Sequence, residues 1–457
     1  EVMAYHFIGC NREQDYLLPP SLKEWVPEGD LSWFVIDTVK EMDLGTFYGK
    51  YREDGWGGAS FDPGMMVTLM LYAYCLGERS SRRIERLCER DVGFRVVTAN
   101  EVPDHCTVSR FRKKHREGLE KLFGEVLKLC GAAGLVKVGT LALDGTKVEA
   151  NASLGANRSY EHIEREVKRM LDEADAVDEE EDRLYGKEKR GDELPEELRD
   201  PKSRLERLRT CKERLEREAR EEAKKQEEKI RNREEEEARE GQKKRGKRPK
   251  EPDPTPSGKA KGNVTDPDSR VMKTRKGYVQ GYNAQAVVTM DQVIVAAEVT
   301  QEANDVNQLH VMVEKAQEEI AAAGIEEEIE EVLADAGYCS EENLRKADPG
   351  GPELYVATRK DWKQRKEMRD RPPPRGRIPN DLSLRERMER KLLTKRGRAL
   401  YQLRSQTVEP VFGQVKECRG CDRFMQRGRK YARSEWRLLC ATHNLLKLYR
   451  RQQVCLN

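Results

Sequence analysis

The sequence is short of several things that would place it elsewhere. No apolar run is as long as a membrane span, so a membrane-embedded protein is not expected. The opening EVMAYHFIGC lacks the pattern of a secretion signal. Eleven cysteines, an odd number without disulfide-framework spacing, point to reduced thiols and a cytoplasmic protein. Histidine is scarce, and His6, His105, His115, His162 and His310 are too scattered to form a ligand set. What is abundant is charge. Charged and hydrophobic residues each make up 37% of 457 residues, which leaves apolar runs long enough for a core and predicts two or three domains.

The net charge of +2 hides a segregation. From Arg359 onward there are 28 Lys and Arg against 10 Asp and Glu, a net of +18, while the preceding part holds 58 against 74, a net of −16. A solvated basic surface accounts for solubility. A basic region of this size is also the electrostatic footprint of a polyanion partner, and nucleic acid is the partner it favours.

Helical signals dominate residues 1–130. Leu31 to Val39 reads as a buried helix, and Pro63 opens an apolar helix, MMVTLMLYAYCLG, that stops at Gly77. SSRRIERLCER follows with Ser80 or Ser81 as its cap. Then comes PDHCTVSRFRKKHREGLEKLF, in which Asp104 is the cap and Thr107, Ser109, Arg110, Arg112 and Lys113 line the first turns. Short helices ending in one with a polar, basic amino-terminal face resemble a helix-turn-helix, whose face meets bases and phosphates; ordinary helical bundles share the pattern.

The period changes at Val136. VKVGTLALDGTKVEANAS alternates as a strand whose apolar part ends at Asp144-Gly145. That is a ligand position in α/β sheets and equally a good turn. Residues 155–270 interrupt the pattern. Ile163, Val167, Met170, Leu171 and Ala174 form one stripe, and Leu205, Leu208, Leu215, Ala219, Ala223 and Ile230 a second, with Pro195 and Pro201 between them. A long charged helical hairpin is expected there, followed by a linker from KKRGKRPK through EPDPTPSG. Strands resume at Gly277 with YVQGYNAQAVVTM and QVIVAAEVT, an antiparallel pair turning at Asp291-Gln292. Asn304 and Asp305 then cap a helix through Ala323. EVLAD delivers Asp335 at a strand end, SEENLRKA is a helix, ELYVAT a fifth strand, and YARSEWRLLCATHNLLKLYRR a closing amphipathic helix that packs on the sheet.

The remaining stretch, YQLRSQTVEPVFGQVK, sets Glu409 among Tyr401, Arg404 and Lys416. Glu409 and Lys416 lie two helical turns apart on one face. Pro410 suits a first turn or a kink. Asp144, Asp335 and Glu409 on two strand ends and a packed helix form a set able to hold two divalent cations roughly 4 Å apart, the arrangement for in-line phosphoryl displacement. Oxygen-only ligation suits Mg²⁺ or Mn²⁺.

With these pieces in view, the chain resembles a bacterial insertion-sequence transposase of the DDE type. LALDGTKVEANAS, GYNAQAVV, EVTQEANDV, LADAGY, VEPVFGQVK and EWRLLCATHNLLK carry the likeness, which runs from about Asp62 to Leu448. It implies an all-α amino-terminal domain (1–130) that binds the element's end. It also implies an α/β catalytic domain (136–154 and 271–450) with a ribonuclease-H-like mixed five-stranded sheet, interrupted by the 155–270 insertion. It further implies Asp144, Asp335 and Glu409 as the metal-binding catalytic triad, and Tyr401, Arg404 and Lys416 as phosphate contacts. Four residues separate Arg404 from Glu409 where the commonest form of that signature has three, which on an ideal helix turns Arg404 away. The implied chemistry is hydrolysis at the transposon's terminal inverted repeats and joining of the 3′-hydroxyl to target DNA. A dimer or larger assembly would do this at the bacterial nucleoid. The alternatives are a structure-selective nuclease of the same fold, a catalytically inactive domesticated DNA-binding protein, and a helical scaffold. Separately, Cys418-x2-Cys421 and Cys440-x2-His443 have zinc spacing, while the amphipathic helix around Cys440 equally makes that pair core.

Overall fold

The structure is a computed structural model that describes residues 21–51, 60–170, 199–241, 249–274, 277–348, 350–379 and 381–456. The expectations for the first residues, for Leu171, Ala174 and Pro195, and for most of the KKRGKRPK tract lie outside them. The chain forms two compact units. One comprises Glu1–Leu135 with Leu438–Asn457, and the other Val136–Arg437. Among the described residues no helix is long and apolar enough to cross a membrane.

The first unit is helical. Asp30 caps Leu31–Lys40 through the Ser32 amide, and Asp62 caps Pro63–Cys75, with Pro63 in its first turn. Pro63–Cys75 is apolar nearly all round, which makes it the buried centre of the unit. Ser81–Arg90 and Val92–Val97 follow. Asp104 caps His105–Lys114 as expected, accepting from the Thr107 amide at 2.8 Å. The helix does not run on through HREGLEKLF, because it breaks at His115 and restarts as Arg116–Ala132. His115 is buried against Phe111 and Phe47, and burial, helped by Lys114 and Lys50, pushes its pKa down to about 4.

The second unit is built on a mixed sheet. Strand β1 (Thr140–Glu149) pairs antiparallel with β5 (Gly277–Thr289) and parallel with β7 (Glu331–Ala334), and β7 pairs parallel with β8 (Glu353–Val356). Strand β6 (Ile294–Thr300) returns antiparallel on β5 through a turn with Gln292 at φ 63°. The five expected strands are therefore present, and a sixth joins them. β5 has 13 residues and β6 only 7, so the first half of β5 needs another partner for its backbone groups. Strand β4 (Arg270–Thr274) supplies it, and β4 and β6 share one edge. Leu141–Leu143, the last ten residues of β5, and all of β6 and β7 are buried, as in a sheet covered on both faces.

Among its described residues the insertion shows two helical stretches, residues 160–170 and Arg199–Glu240. Ile163 and Val167 pack against Leu208, Cys211 and Leu215 in its seam. A two-stranded ribbon at its base was not foreseen: β2 (Asn157–Ser159) pairs with β3 (Lys261–Asn263), tying the linker back to the entry of the insertion. The closing helix is Arg429–Leu456. Its start packs on the sheet, where Trp436 donates from Nε1 to the Gln285 carbonyl at 2.9 Å. Its residues from Leu438 belong to the helical unit, where the Cys75 and Cys130 thiols meet the Thr442 and Asn444 carbonyls.

Candidate active site

Asp144 and Asp335 lie side by side on neighbouring parallel strands, since each follows the in-register pair Leu143 and Ala334. Asp144-Gly145 is not a turn, because β1 continues through it to Glu149. The apolar run ends at Asp144 because burial changes there, from fully buried at Leu141–Leu143 to half-buried at Asp144–Lys147. Asp335 ends β7 and caps the turn Ala336–Tyr338, accepting from the Gly337 amide at 2.8 Å.

The third acid comes from the helix Lys395–Gly413. Pro410 sits inside this helix, which passes into a wider π-helical turn over Gln414–Cys418. The wider turn changes the register between Glu409 and Lys416 expected of an ideal helix. Arg404 is buried beneath Tyr401, yet it reaches two carboxylates despite the extra residue before Glu409. Its Nη1 lies 2.9 Å from Asp144 Oδ2, and its Nη2 lies 3.5 Å from Glu409 Oε1. Arg365 approaches Glu409 at the same 3.5 Å. Lys416 donates to the Lys147 carbonyl at 2.7 Å and lies 3.2 Å from Thr146 Oγ1, which fixes it over β1.

Burial pushes the Asp144 carboxyl up to about 7, against the pull of Arg404 and with the help of Asp335. Lys147, on the same strand, is pushed down by burial while Asp305, Asp144 and Asp335 all favour its charge. The site thus gathers acids that are costly to ionise together beside cations that offset them. Among the described residues no three His, Cys, Asp or Glu side chains stand close enough to hold a metal ion, and the Arg404 guanidinium bridges Asp144 and Glu409. The three acids offer only oxygen donors, the donor chemistry that suits a hard divalent cation. Cys440 and His443 are buried on the closing helix, and Cys421 donates to the Arg419 carbonyl.

Three residues at the site were not singled out for it from the sequence. Arg365 and Lys147 were hidden among many cations. Asp305 was read as a cap, yet its carboxylate makes no capping bond. It accepts instead from Asn283 at 2.6 Å and Gln285 at 2.8 Å, with Lys147 at 3.4 Å. Gly145 is what lets it in. A Cβ there would stand 2.7 Å from Asp305 Oδ1 and collide with Gln285. Gly145→Ala is expected to destabilise the protein by about 1–3 kcal/mol through overpacking, read as a lowered urea midpoint at unchanged slope.

In the helical unit, Arg110 and Lys113 are exposed on His105–Lys114. Arg112 is not placed as expected. It is buried, holding the Arg79 carbonyl at 2.6 Å and the Ser81 hydroxyl, so it braces the start of Ser81–Arg90.

Two segments match known protein families. Residues 20–114, which carry the helical unit's basic helix, match a transposase domain, DUF772. Residues 374–449, which carry Tyr401, Arg404, Glu409 and Lys416, match a transposase DDE domain. No curated protein and no solved structure matches the chain.

Proposed function

We propose that this chain, an insertion-sequence transposase of the DDE class, uses Asp144, Asp335 and Glu409 as its catalytic, metal-holding acids. The observation that carries this is that Asp144 and Asp335 each follow the in-register pair Leu143 and Ala334 on neighbouring strands, with Arg404 joining Asp144 to Glu409. The second unit reads as ribonuclease-H-like, supported by the mixed order β6–β5–β1–β7–β8 and by acids at the ends of β1's and β7's apolar runs. The three carboxylates would hold Mg²⁺ or Mn²⁺, two ions in the full site. When bound, such ions stabilise the charge on the attacking and leaving oxygens of the phosphodiester.

The chain's own cations do the rest. Lys416 is held over β1 at Thr146 and Lys147 and would present positive charge to a phosphate there. Arg404 keeps Asp144 and Glu409 together; it and Tyr401 are both buried, so in this arrangement neither is presented to a phosphate as the resemblance implies. The products are a cut at the transposon end and a 3′-hydroxyl joined to target DNA, made by a dimer or larger assembly at the bacterial nucleoid.

The test uses a plasmid carrying the gene's flanking inverted repeats. Cleavage at the repeat boundary that needs Mg²⁺, is blocked by EDTA and yields products joined to a second plasmid is expected. Cutting without joining would replace this reading with a nuclease, and sequence-specific binding without cutting in Mg²⁺ or Mn²⁺ with an inactive DNA-binder.

End binding is assigned to the helical unit through Arg110 and Lys113. The Arg110→Ala, Lys113→Ala double variant is expected to weaken DNA binding similarly across sequences. It should also reduce the slope of log K against log salt by about 2, roughly one per lost phosphate contact. An unchanged slope in a salt titration would remove both residues from the interface.

A further inference from the structure

We infer that Asp305 is a positioning residue of the catalytic centre, the anchor that fixes the Asp335–Gly337 turn and with it the Asp335 carboxylate. The inference rests on the assignment of Asp335 as a metal-holding acid. Asp305 follows β6 and precedes the helical turn Val306–Gln308, where an acid ordinarily caps; its side chain turns away to the sheet.

One of its oxygens is tied down and the other faces the site. Oδ1 takes hydrogen bonds from Asn283 and Gln285 and faces the Lys147 ammonium. Oδ2 faces Gly337. A Cβ on that glycine would stand 3.4 Å from Asp305 Oδ2 and 3.0 Å from Asp335 Oδ1, so the two carboxylates converge on the residue whose amide holds Asp335.

The same network grips the far end of the turn. Gln285 donates to Asp305 and accepts from the Tyr338 hydroxyl, while Asn343 donates to the Val306 carbonyl at 2.6 Å and the Tyr338 carbonyl at 2.8 Å. Asn283, Gln285 and Tyr338 are all buried. A network built only for packing would satisfy its members. Asn283 Oδ1 instead has no hydrogen-bond partner among the described residues, and it points at the same spot over Gly145 as Asp305 Oδ1. A buried acceptor left open costs about 1–3 kcal/mol, so its placement beside Asp305 over Gly145 calls for a reason beyond packing.

Outer groups that orient metal-binding side chains typically contribute about 10–100-fold to metal affinity. The experiment is a Mn²⁺ titration of the full chain without DNA, read by electron paramagnetic resonance, on the unmutated protein, Asp305→Ala, Asp305→Asn and Asp335→Ala. Melting temperatures are recorded in EDTA. Asp305→Ala is expected to weaken Mn²⁺ binding by about 10–100-fold. Asp305→Asn, which keeps an acceptor for Asn283 and Gln285, should fall between it and the unmutated chain. Asp305→Ala that binds Mn²⁺ like the unmutated protein overturns the inference and leaves the assignment of Asp335 standing. If both Asp305 variants are unfolded, the residue is structural and the inference is likewise overturned. An unmutated chain that binds no Mn²⁺ overturns the metal assignment itself, and this inference with it.

Discussion

Asp335→Ala should lower the rate of cleavage at the transposon end by on the order of 10³-fold or more while the protein stays folded. The magnitude follows from the several kcal/mol that a held cation contributes to transition-state charge, at about 1.4 kcal/mol for each tenfold. Removing the side chain costs little in stability. Asp335 is half-buried at a strand end, and its capping bond is to a short turn rather than to a long helix. Single-turnover cleavage of a labelled end in saturating Mg²⁺, beside far-ultraviolet circular dichroism, reads both quantities. A variant that cuts within tenfold of the unmutated chain would take Asp335 out of the catalytic set.

Arg404→Ala has the second large effect, and its size depends on pH. Asp144 is pushed up to about 7 in the folded protein, above the roughly 3.9 of an exposed aspartate. An acid raised in this way contributes stability that is fully present below the unfolded value and is lost as pH rises through the folded one. Without divalent cation the unmutated chain is therefore more stable near pH 5 than near pH 8, as far as this group is concerned. Arg404 offsets the charge that Asp144 carries at the higher pH, at 2.9 Å. Removing it leaves a half-buried carboxylate without its guanidinium, which costs up to about 3–5 kcal/mol when the acid is ionised. Near pH 5 Asp144 is mostly protonated and the loss is smaller. Urea unfolding of both proteins in EDTA at pH 5 and pH 8 reads the difference. Equal destabilisation at the two values would show that Arg404 serves packing and not the Asp144 charge.

Much of this site was legible because its acids punctuate apolar strands. LALD and VLAD each end a run of buried aliphatic residues in an aspartate, and periodicity placed Asp335 at a strand end and Asp144 at the end of an apolar run, though β1 continues past Asp144 to Glu149. Glu409 stood out through its cationic neighbours Arg404 and Lys416. Asp305 did not, because local sequence cannot tell a capping aspartate from one whose side chain turns away. The choice depends on Asn283 and Gln285, twenty or more residues earlier on a neighbouring strand. Arg112 shows the converse. It stands among exposed basic residues in sequence, but the Ser80-Ser81 corner folds over it and removes it from solvent. The reach of Arg404 to Glu409 was likewise misjudged from ideal helical spacing, since a long guanidinium spans a register difference that a short side chain would not.

By itself the sequence determined the five main strands, the acids that end two apolar runs, the helical stretches of the insertion and the basic carboxy-terminal region, because hydrophobic periodicity and charge are local quantities. Tertiary structure alone decided what required distant partners. It added β4 to the edge of β5, joined Arg404 to both Asp144 and Glu409, and drew Asp305 across Gly145 to the Asp335 turn. Apart from the Arg404–Glu409 contact, which stays within one helix, each depends on backbone pairing or on side chains brought together from separate elements. Such contacts are fixed by the packing of the whole sheet, not by any one segment.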